Sequence, residues 1–335
     1  MMKNLLKLAT ALLCLTPLAT ASLAADKPVL TIYTYDSFAS EWGPGPVIEK
    51  AFEAQCACDL KFVALDSSIG ILGRVQIEGA GSAADIVLGL DTNLTSIARD
   101  TGLFAAHGVA SKANNLPIAF SDDTFMPFDW GNFAFVYDTT RLSSPPASFD
   151  ELIDSSADVK IAIQDPRTST PGLGLLLWMK SVYGDQAATK WAALQPKILT
   201  VTKGWWDSYS LFLEGEADMV LSYTTSPAYH MIAEGKSNYA AAAFSDGHYA
   251  QIEVAAMMKS APQPELARQF MAFIQSPEFQ QVIPTTNWMY PVTKAAVPAE
   301  FGSLVTPERQ FLYTAEDVAA NKSAWVDEWL KASQN

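Results

Sequence analysis

The sequence predicts an α/β fold of two lobes, each a mainly parallel sheet flanked by helices, with a hinge joining the two. Three observations predict it. Strand-like segments, polar loops and helix-like segments follow one another at a steady rhythm, which is the pattern of a parallel sheet with functional loops at its strand ends. About 310 residues remain once an apolar leader is set aside, more than one hydrophobic core usually organises. Two longer extended stretches, near residues 125–137 and 240–256, have the look of crossings between lobes.

The leader comes first. Lys3 and Lys7 precede an apolar run over residues 8–18 and the small-residue stretch Ala21-Ser22-Leu23-Ala24-Ala25. Residues 1–25 therefore read as a signal peptide cleaved near Ala24/Ala25, and the chain as an exported one. No later segment keeps the roughly 18 apolar residues of a membrane span. Cys14 lies inside the apolar run without the small residues that a lipid-attachment site needs before it.

Residues 29–35, Val-Leu-Thr-Ile-Tyr-Thr-Tyr, are β-branched and aromatic and predict a strand that ends at Asp36-Ser37. Trp42-Gly43-Pro44-Gly45-Pro46 predicts a loop, and Pro46 suits the first turn of a helix over residues 47–55. A strand over 60–65 ends at Asp66-Ser67-Ser68, and a helix follows through residues 71–78. The apolar run 85–91 is a further strand, and 92–100 a further helix. Residues 125–137 make the first crossing. Beyond it come a strand at 159–164, a helix at 171–183, a strand at 217–223 and a helix at 227–234. Residues 240–256, broken by Ser245-Asp246-Gly247, return to the first lobe. From Pro262 onward the chain reads as helical, with a loop at 285–292 and amphipathic helices at 307–310 and 315–331. Lobe 1 is thus expected at 26–127 with about 246–295 returning to it, and lobe 2 at 128–245 with the C-terminal helices at about 296–335.

Charge narrows the partners. The formal net charge is −14, and loss of Lys3 and Lys7 with the leader makes it −16. Such an excess argues against nucleic acid, favours solubility and attracts cationic solutes over distance. Cys56 and Cys58 are the cysteines left outside the leader, in a compartment where disulfides persist. They can pair, although a loop of one residue constrains the unfolded chain little. His107, His230 and His248 are scattered rather than spaced as ligands, so no metal site is expected.

Four segments could carry chemistry. Residues 164–174 lie between an apolar strand and an apolar helix, with Thr170 placed for the N-cap and Pro171 for the first turn. Free N–H groups and the macrodipole at such a start favour an anion, and the Ser169 and Thr170 hydroxyls add donors. The bland alternative is that Thr170 merely caps its own helix. Thr202-Lys203-Gly204-Trp205-Trp206 puts two indoles in a loop after a strand, where a ring face suits a delocalised cation and the indole N–H suits a phosphate or ester oxygen. Ser222, Tyr223, Thr224, Thr225 and Ser226 crowd five hydroxyls at another strand end, more than capping needs, with Tyr229 just beyond. Trp288 adds an indole, and Tyr35 and Trp42 supply aromatics from the first lobe. Each ring taken singly is more often core. Their repeated placement after strands favours a site for a flat, cationic ligand, with or without a phosphate tail, its charge offset by Asp36 or Asp91.

Tyr33-Thr34-Tyr35-Asp36-Ser37-Phe38, Trp42 through Pro46, residues 164–177, 202–205 and 221–230, and Asn287 through Pro291 resemble the thiamine-binding periplasmic proteins of bacterial ABC transporters. The resemblance runs over nearly the whole chain after the leader. It implies a type II periplasmic-binding-protein-like fold that binds thiamine, thiamine monophosphate or thiamine diphosphate between its lobes in the periplasm. It implies delivery to an ABC permease with its ATPase subunit, no catalysis, no cofactor beyond the transported ligand, and a monomer suited to shuttling. By position it assigns contacts to Ser67, Ser68, Ser169, Thr170, Trp205, Tyr223, Thr224, Thr225 and Ser226, and aromatic walls to Tyr35, Tyr229 and Trp288. Ser67-Ser68 departs from the acidic-residue-plus-Gly loop expected in such proteins, a change that backbone N–H contacts survive.

Two other classes compete. An iron or anion binder would need a Tyr pair with carboxylates, or bare helix starts, and would have no use for the ring faces of Trp205 and Trp288. A hydrolase would need a Gly-x-Ser-x-Gly elbow, a Ser-x-x-Lys pair or a His-Glu-x-x-His helix, and the sequence has none of them.

Overall fold

The computed structural model describes residues 27–334, so the leader with Lys3, Lys7, Cys14 and the cleavage point lies outside the described residues. Among the described residues, twelve strands form one sheet. They are β1 (Val29–Tyr35), β2 (Asp59–Leu65), β3 (Ile86–Asp91), β4 (Phe104–Ala105), β5 (Phe125–Asp138), β6 (Ile161–Gln164), β7 (Ile198–Thr202), β8 (Met219–Tyr223), β9 (Tyr239–Ala241), β10 (His248–Met258), β11 (Tyr290–Pro291) and β12 (Gln310–Phe311). The main path runs β2-β1-β3-β10-β5-β8-β6-β7.

Within each half the pairing is parallel: β1 with β2 and β3, and β6 with β7 and β8. The two long middle strands are antiparallel to each other and to their neighbours on that path, while the short β12 pairs parallel with β10. β5 joins the halves, since Phe125–Asn132 faces β10 whereas Phe133–Tyr137 faces β8. The chain returns from β9, which also pairs with β5, into β10. All eleven residues of β10 are buried, as its central place requires.

Helices cover both faces. On one face of the first half, Phe38, Ile48, Phe52, Phe128, Phe270 and Phe279 form a core under the helices Gly45–Cys56 and Pro264–Phe273. A larger core runs under both halves on the other face, through Ile71, Val87, Phe133, Phe135, Phe149, Leu176 and Trp178. A smaller one, with Val136, Tyr209, Phe212 and Val220, closes the second half. Pro46 sits in the first turn of its helix, where its missing N–H costs no hydrogen bond.

Several expectations are corrected. Residues 307–310 form no helix; Gln310–Phe311 instead pairs as β12 with His248 and Tyr249, because a stretch this short gains more from the ladder beside β10. Trp205 and Trp206 are not in a loop but open the helix Trp205–Leu213. Residues 92–100 divide into a 3-10 turn, Thr92–Leu94, and the helix Thr95–Asp100, with Asp91 accepting from the Asn93 N–H. The last helix, Ala315–Ala332, expected with the second lobe, packs against helices of both halves. Cys56 and Cys58 form a disulfide around Ala57, whose φ of 51° turns the chain out of the preceding helix.

Candidate functional site

A cleft of about 230 Å³ opens where the C-terminal ends of β1 and β8 meet the start of the helix Thr170–Tyr183. Ligands of open α/β sheets sit at carboxyl ends of strands, where loops are free to diverge. Tyr35, Trp42, Ser67 and Ser68 line it from the first half, and Ser169, Thr170, Trp205, Tyr223, Ser226 and Tyr229 from the second; Trp288 lines it from the loop before β11. Thr224 and Thr225 do not. Both are fully buried, the Thr224 N–H donating to the Asn132 carbonyl and the Thr225 hydroxyl lying 3.8 Å from Met289 Sδ, so two of the five crowded hydroxyls serve the turn's own packing. Asp91 is likewise turned away, its carboxylate accepting from the Asn93 amide at 2.9 Å.

The rings have fixed places. Trp205 stacks on Tyr209 with centroids 4.8 Å apart, and its indole N–H donates to Ser222 Oγ at 2.9 Å. That N–H is therefore engaged inside the protein, which leaves the ring face rather than the donor for a ligand. Tyr229 meets Trp288 edge to face at 5.3 Å. Trp288 adopts φ 58°, a left-handed conformation unusual for a bulky residue, and its N–H donates to the Ile283 carbonyl. Such strain is held by surrounding structure and gathers at ligand clamps. Gly89 lets Tyr35 into position: it has φ 109°, and a Cβ there would come within 2.4 Å of the Tyr35 ring.

The helix start differs from expectation. Ser169, not Thr170, is the N-cap residue, and its side chain makes no capping bond. The Thr170 hydroxyl instead meets Ser68 Oγ at 2.8 Å, and the Thr170 N–H donates to the same Ser68 Oγ at 3.0 Å. The two halves thus touch beneath the cleft, and the Ile69 N–H donating to the Thr168 carbonyl adds to that contact. At the rim, Trp42 packs on Trp206 at 5.0 Å, and Lys203 pairs with Asp66. The hydrogen bond from Lys203 holds the exposed Asp66 carboxyl below its usual range.

Sequence reasoning missed the acidic floor. Glu253, on buried β10, lines the cleft and accepts from the Tyr35 hydroxyl at 2.8 Å and from the Gln251 amide at 3.1 Å. Gln251 in turn accepts from the Tyr223 hydroxyl at 3.1 Å. Asp129 sits behind Glu253 and accepts from Asn287 Nδ2 at 2.6 Å. Burial raises both carboxyls, Asp129 to about 7; the Asp129 charge raises Glu253 further, whereas hydrogen bonding with Asn287 and Glu253 lowers Asp129. Burial and then the Glu253 charge raise the Tyr35 phenol. The signal available was the charged Glu253, with Gln251, inside a strand whose other residues from Ala250 to Met258 are apolar, which invites a buried, paired role. Asp36, named from sequence as a partner for a cation, does line the cleft, and burial raises its carboxyl. Tyr209, Thr286, Asn287 and Met289 also line the cleft and were not among the contacts read from the sequence.

The profile of the family described as bacterial extracellular solute-binding protein matches residues 44–281. A thiamine-binding periplasmic protein of Escherichia coli (strain K12) is 57% identical over 306 residues, covering 91% of this chain and 94% of that one. A thiamine-binding periplasmic protein of Brucella melitensis biotype 1 is 51% identical over 334 residues, covering 99% of each. A solved periplasmic thiamin binding protein superposes with a TM-score of 0.90 at 57% identity, covering 92% of this chain and 96% of that one. The fold is that of the type II periplasmic binding proteins. A two-half α/β sheet, a cleft at its strand ends and these matches place the chain in one family: it belongs to the bacterial extracellular solute-binding proteins.

Proposed function

We propose that this chain captures thiamine, thiamine monophosphate or thiamine diphosphate in the cleft and hands the ligand to an ABC permease driven by its ATPase subunit. The observation that carries the reading is the cleft itself, with indole and phenol faces on both sides and a carboxyl at the floor. A flat cationic ring gains from stacking and cation–π contact on such walls, at roughly 0.5–2 kcal/mol per contact. The names of relatives more than half identical support the same ligand. A phosphate tail would sit toward Ser169 and the start of the Thr170–Tyr183 helix, where backbone N–H groups and the helix dipole favour an anion.

The protein works by capture and not by catalysis, as a periplasmic monomer freed of residues 1–25. The halves hinge about β5 and the β9–β10 connection, and ligand favours the arrangement in which both walls touch it. Intrinsic tryptophan fluorescence of ligand-stripped protein tests the reading, by titration with thiamine and its two phosphates. Saturable quenching at low micromolar concentration or below is the expected result. A flat response to all three, confirmed by calorimetry, overturns it.

A further inference from the structure

Among the described residues, two carboxyls at the floor of the cleft have no cation to balance them. Asp129 is fully buried, and its Oδ1 has no hydrogen-bond donor beside it. Its neighbour there is the Glu253 carboxyl, which is 5% exposed and opens onto the cleft. The other groups facing the pair are donors or further acids. Tyr35 from β1, Gln251 from β10 and Asn287 from the loop before β11 donate to it, Tyr223 from β8 reaches it through Gln251, and Asp91 from β3 adds negative charge. Lys322 acts on Asp91 rather than on the pair. Two adjacent buried carboxyls cannot both ionise cheaply, and an oxygen without a donor is satisfied once its neighbour carries a proton.

We infer that Glu253 and Asp129 share one proton before ligand binds and release it to solvent when a cationic ring seats against Glu253, so that the pair is a proton-linked subsite selective for positive charge. The inference rests on the proposed function for its ligand, and on the floor geometry for its chemistry. The cation takes over the proton's role in balancing two carboxylates. The sign follows: binding favours the deprotonated pair, so affinity rises with pH until the ligand-free pair has lost its proton unaided. Burial holds both carboxyls above their usual range, Asp129 to about 7, so the linkage lies well above the pH at which ordinary carboxyls titrate. At full linkage of one proton, affinity changes about tenfold per pH unit.

The test is calorimetric titration of the mature protein with thiamine between pH 6 and 8.5, in buffers of different ionisation enthalpy, above the range in which the ligand's own pyrimidine titrates. The expected result is release of close to one proton at the low end and a dissociation constant that falls as pH rises. Asp129→Asn removes the partner that shares the proton, so fewer protons are released per thiamine bound and the dissociation constant varies less with pH than in the native protein. Glu253→Gln weakens binding and also abolishes the release. Proton uptake or release near zero in the native protein overturns the inference while leaving thiamine capture intact. Should thiamine fail to bind at any pH, the functional reading falls, and carboxyl ¹³C chemical shifts of the ligand-free protein then decide the shared proton separately. A side chain titrating near neutrality that disappears in Asp129→Asn supports it; ordinary acidic titration of both carboxyls overturns it.

Discussion

The wall from the first half of the sheet carries acids, Asp36, Asp66 and, on β10, Glu253, whereas the wall from the second half carries hydroxyls, indoles and a helix start. Asp36 and Asp66 follow their strands and remain exposed to water, whereas Glu253 is buried on β10, where a carboxyl must either find a proton or meet a cation. The second wall offers the positive end of a helix dipole, with Ser169 and Thr170 at its mouth. A ligand with a cationic ring at one end and a phosphate at the other matches both walls at once, and free thiamine engages one of them fully. On the proposed function, the acids of the first half offset the ligand's charge, rings of both halves hold its cationic end, and the helix start of the second half meets the tail.

Breaking the second wall at its frame should have the largest effect. A Cβ on Gly172 would lie 2.5 Å from the Gln164 carbonyl oxygen and 2.6 Å from the Asp165 backbone, neither of which is a flexible side chain that can swing aside. Gly172→Ala should destabilise the fold by about 1–3 kcal/mol and displace the helix start, seen as a lowered thermal midpoint. A midpoint equal to the native one would mean that the helix adjusts freely. Next, Trp205→Ala should weaken thiamine and its phosphates alike by about 1–3 kcal/mol in a fluorescence or calorimetric titration, since a stacked ring serves the cationic end common to all three. Unchanged affinity would remove Trp205 from the contact surface.

The two walls can then be separated by ligand. Ser169→Ala together with Thr170→Ala should cost thiamine diphosphate about 1 kcal/mol more than free thiamine. Equal losses would say that this wall does not read the tail. The acidic floor answers to pH instead. An Asp with an ordinary value near 3.8 in the unfolded chain and about 7 in the fold binds more protons folded than unfolded between those values. The stability it contributes is therefore present at low pH and lost as pH rises through about 7. Between pH 5.5 and 8 the ligand-free protein should lose roughly 2–4 °C of thermal midpoint to this group, a slope that Asp129→Asn flattens. Lys203→Ala should do least, within about 0.5 kcal/mol for stability and binding, because its pair with Asp66 is exposed.

Much of this was legible in the sequence for identifiable reasons. The strand at residues 29–35 and the helix starts at Pro46, Pro171 and Pro227 follow from β-branched runs and from proline placed in a first turn, which are local signals. The aromatic side of the cleft was legible because Trp and Tyr in segments after strands are conspicuous. What stayed hidden depends on contacts distant in sequence. Thr224 and Thr225 look like their neighbours Tyr223 and Ser226, and only the turn's orientation against Asn132 and Met289 buries them. Trp205 was placed in a loop since Gly204 reads as a break, yet Gly204 is a helix N-cap there. Glu253 and Asp129 are separated by more than a hundred residues and meet because β5 and β10 pair in that register.

The most direct test of the central claim, that the aromatic cleft captures thiamine, is the dissociation constant of thiamine for the ligand-stripped protein measured beside that for a Trp205→Ala, Trp288→Ala double variant with native thermal stability. The account predicts micromolar or tighter binding to the native protein and a loss of at least about 2 kcal/mol in the variant. Equal binding to both, or none to either, would contradict it.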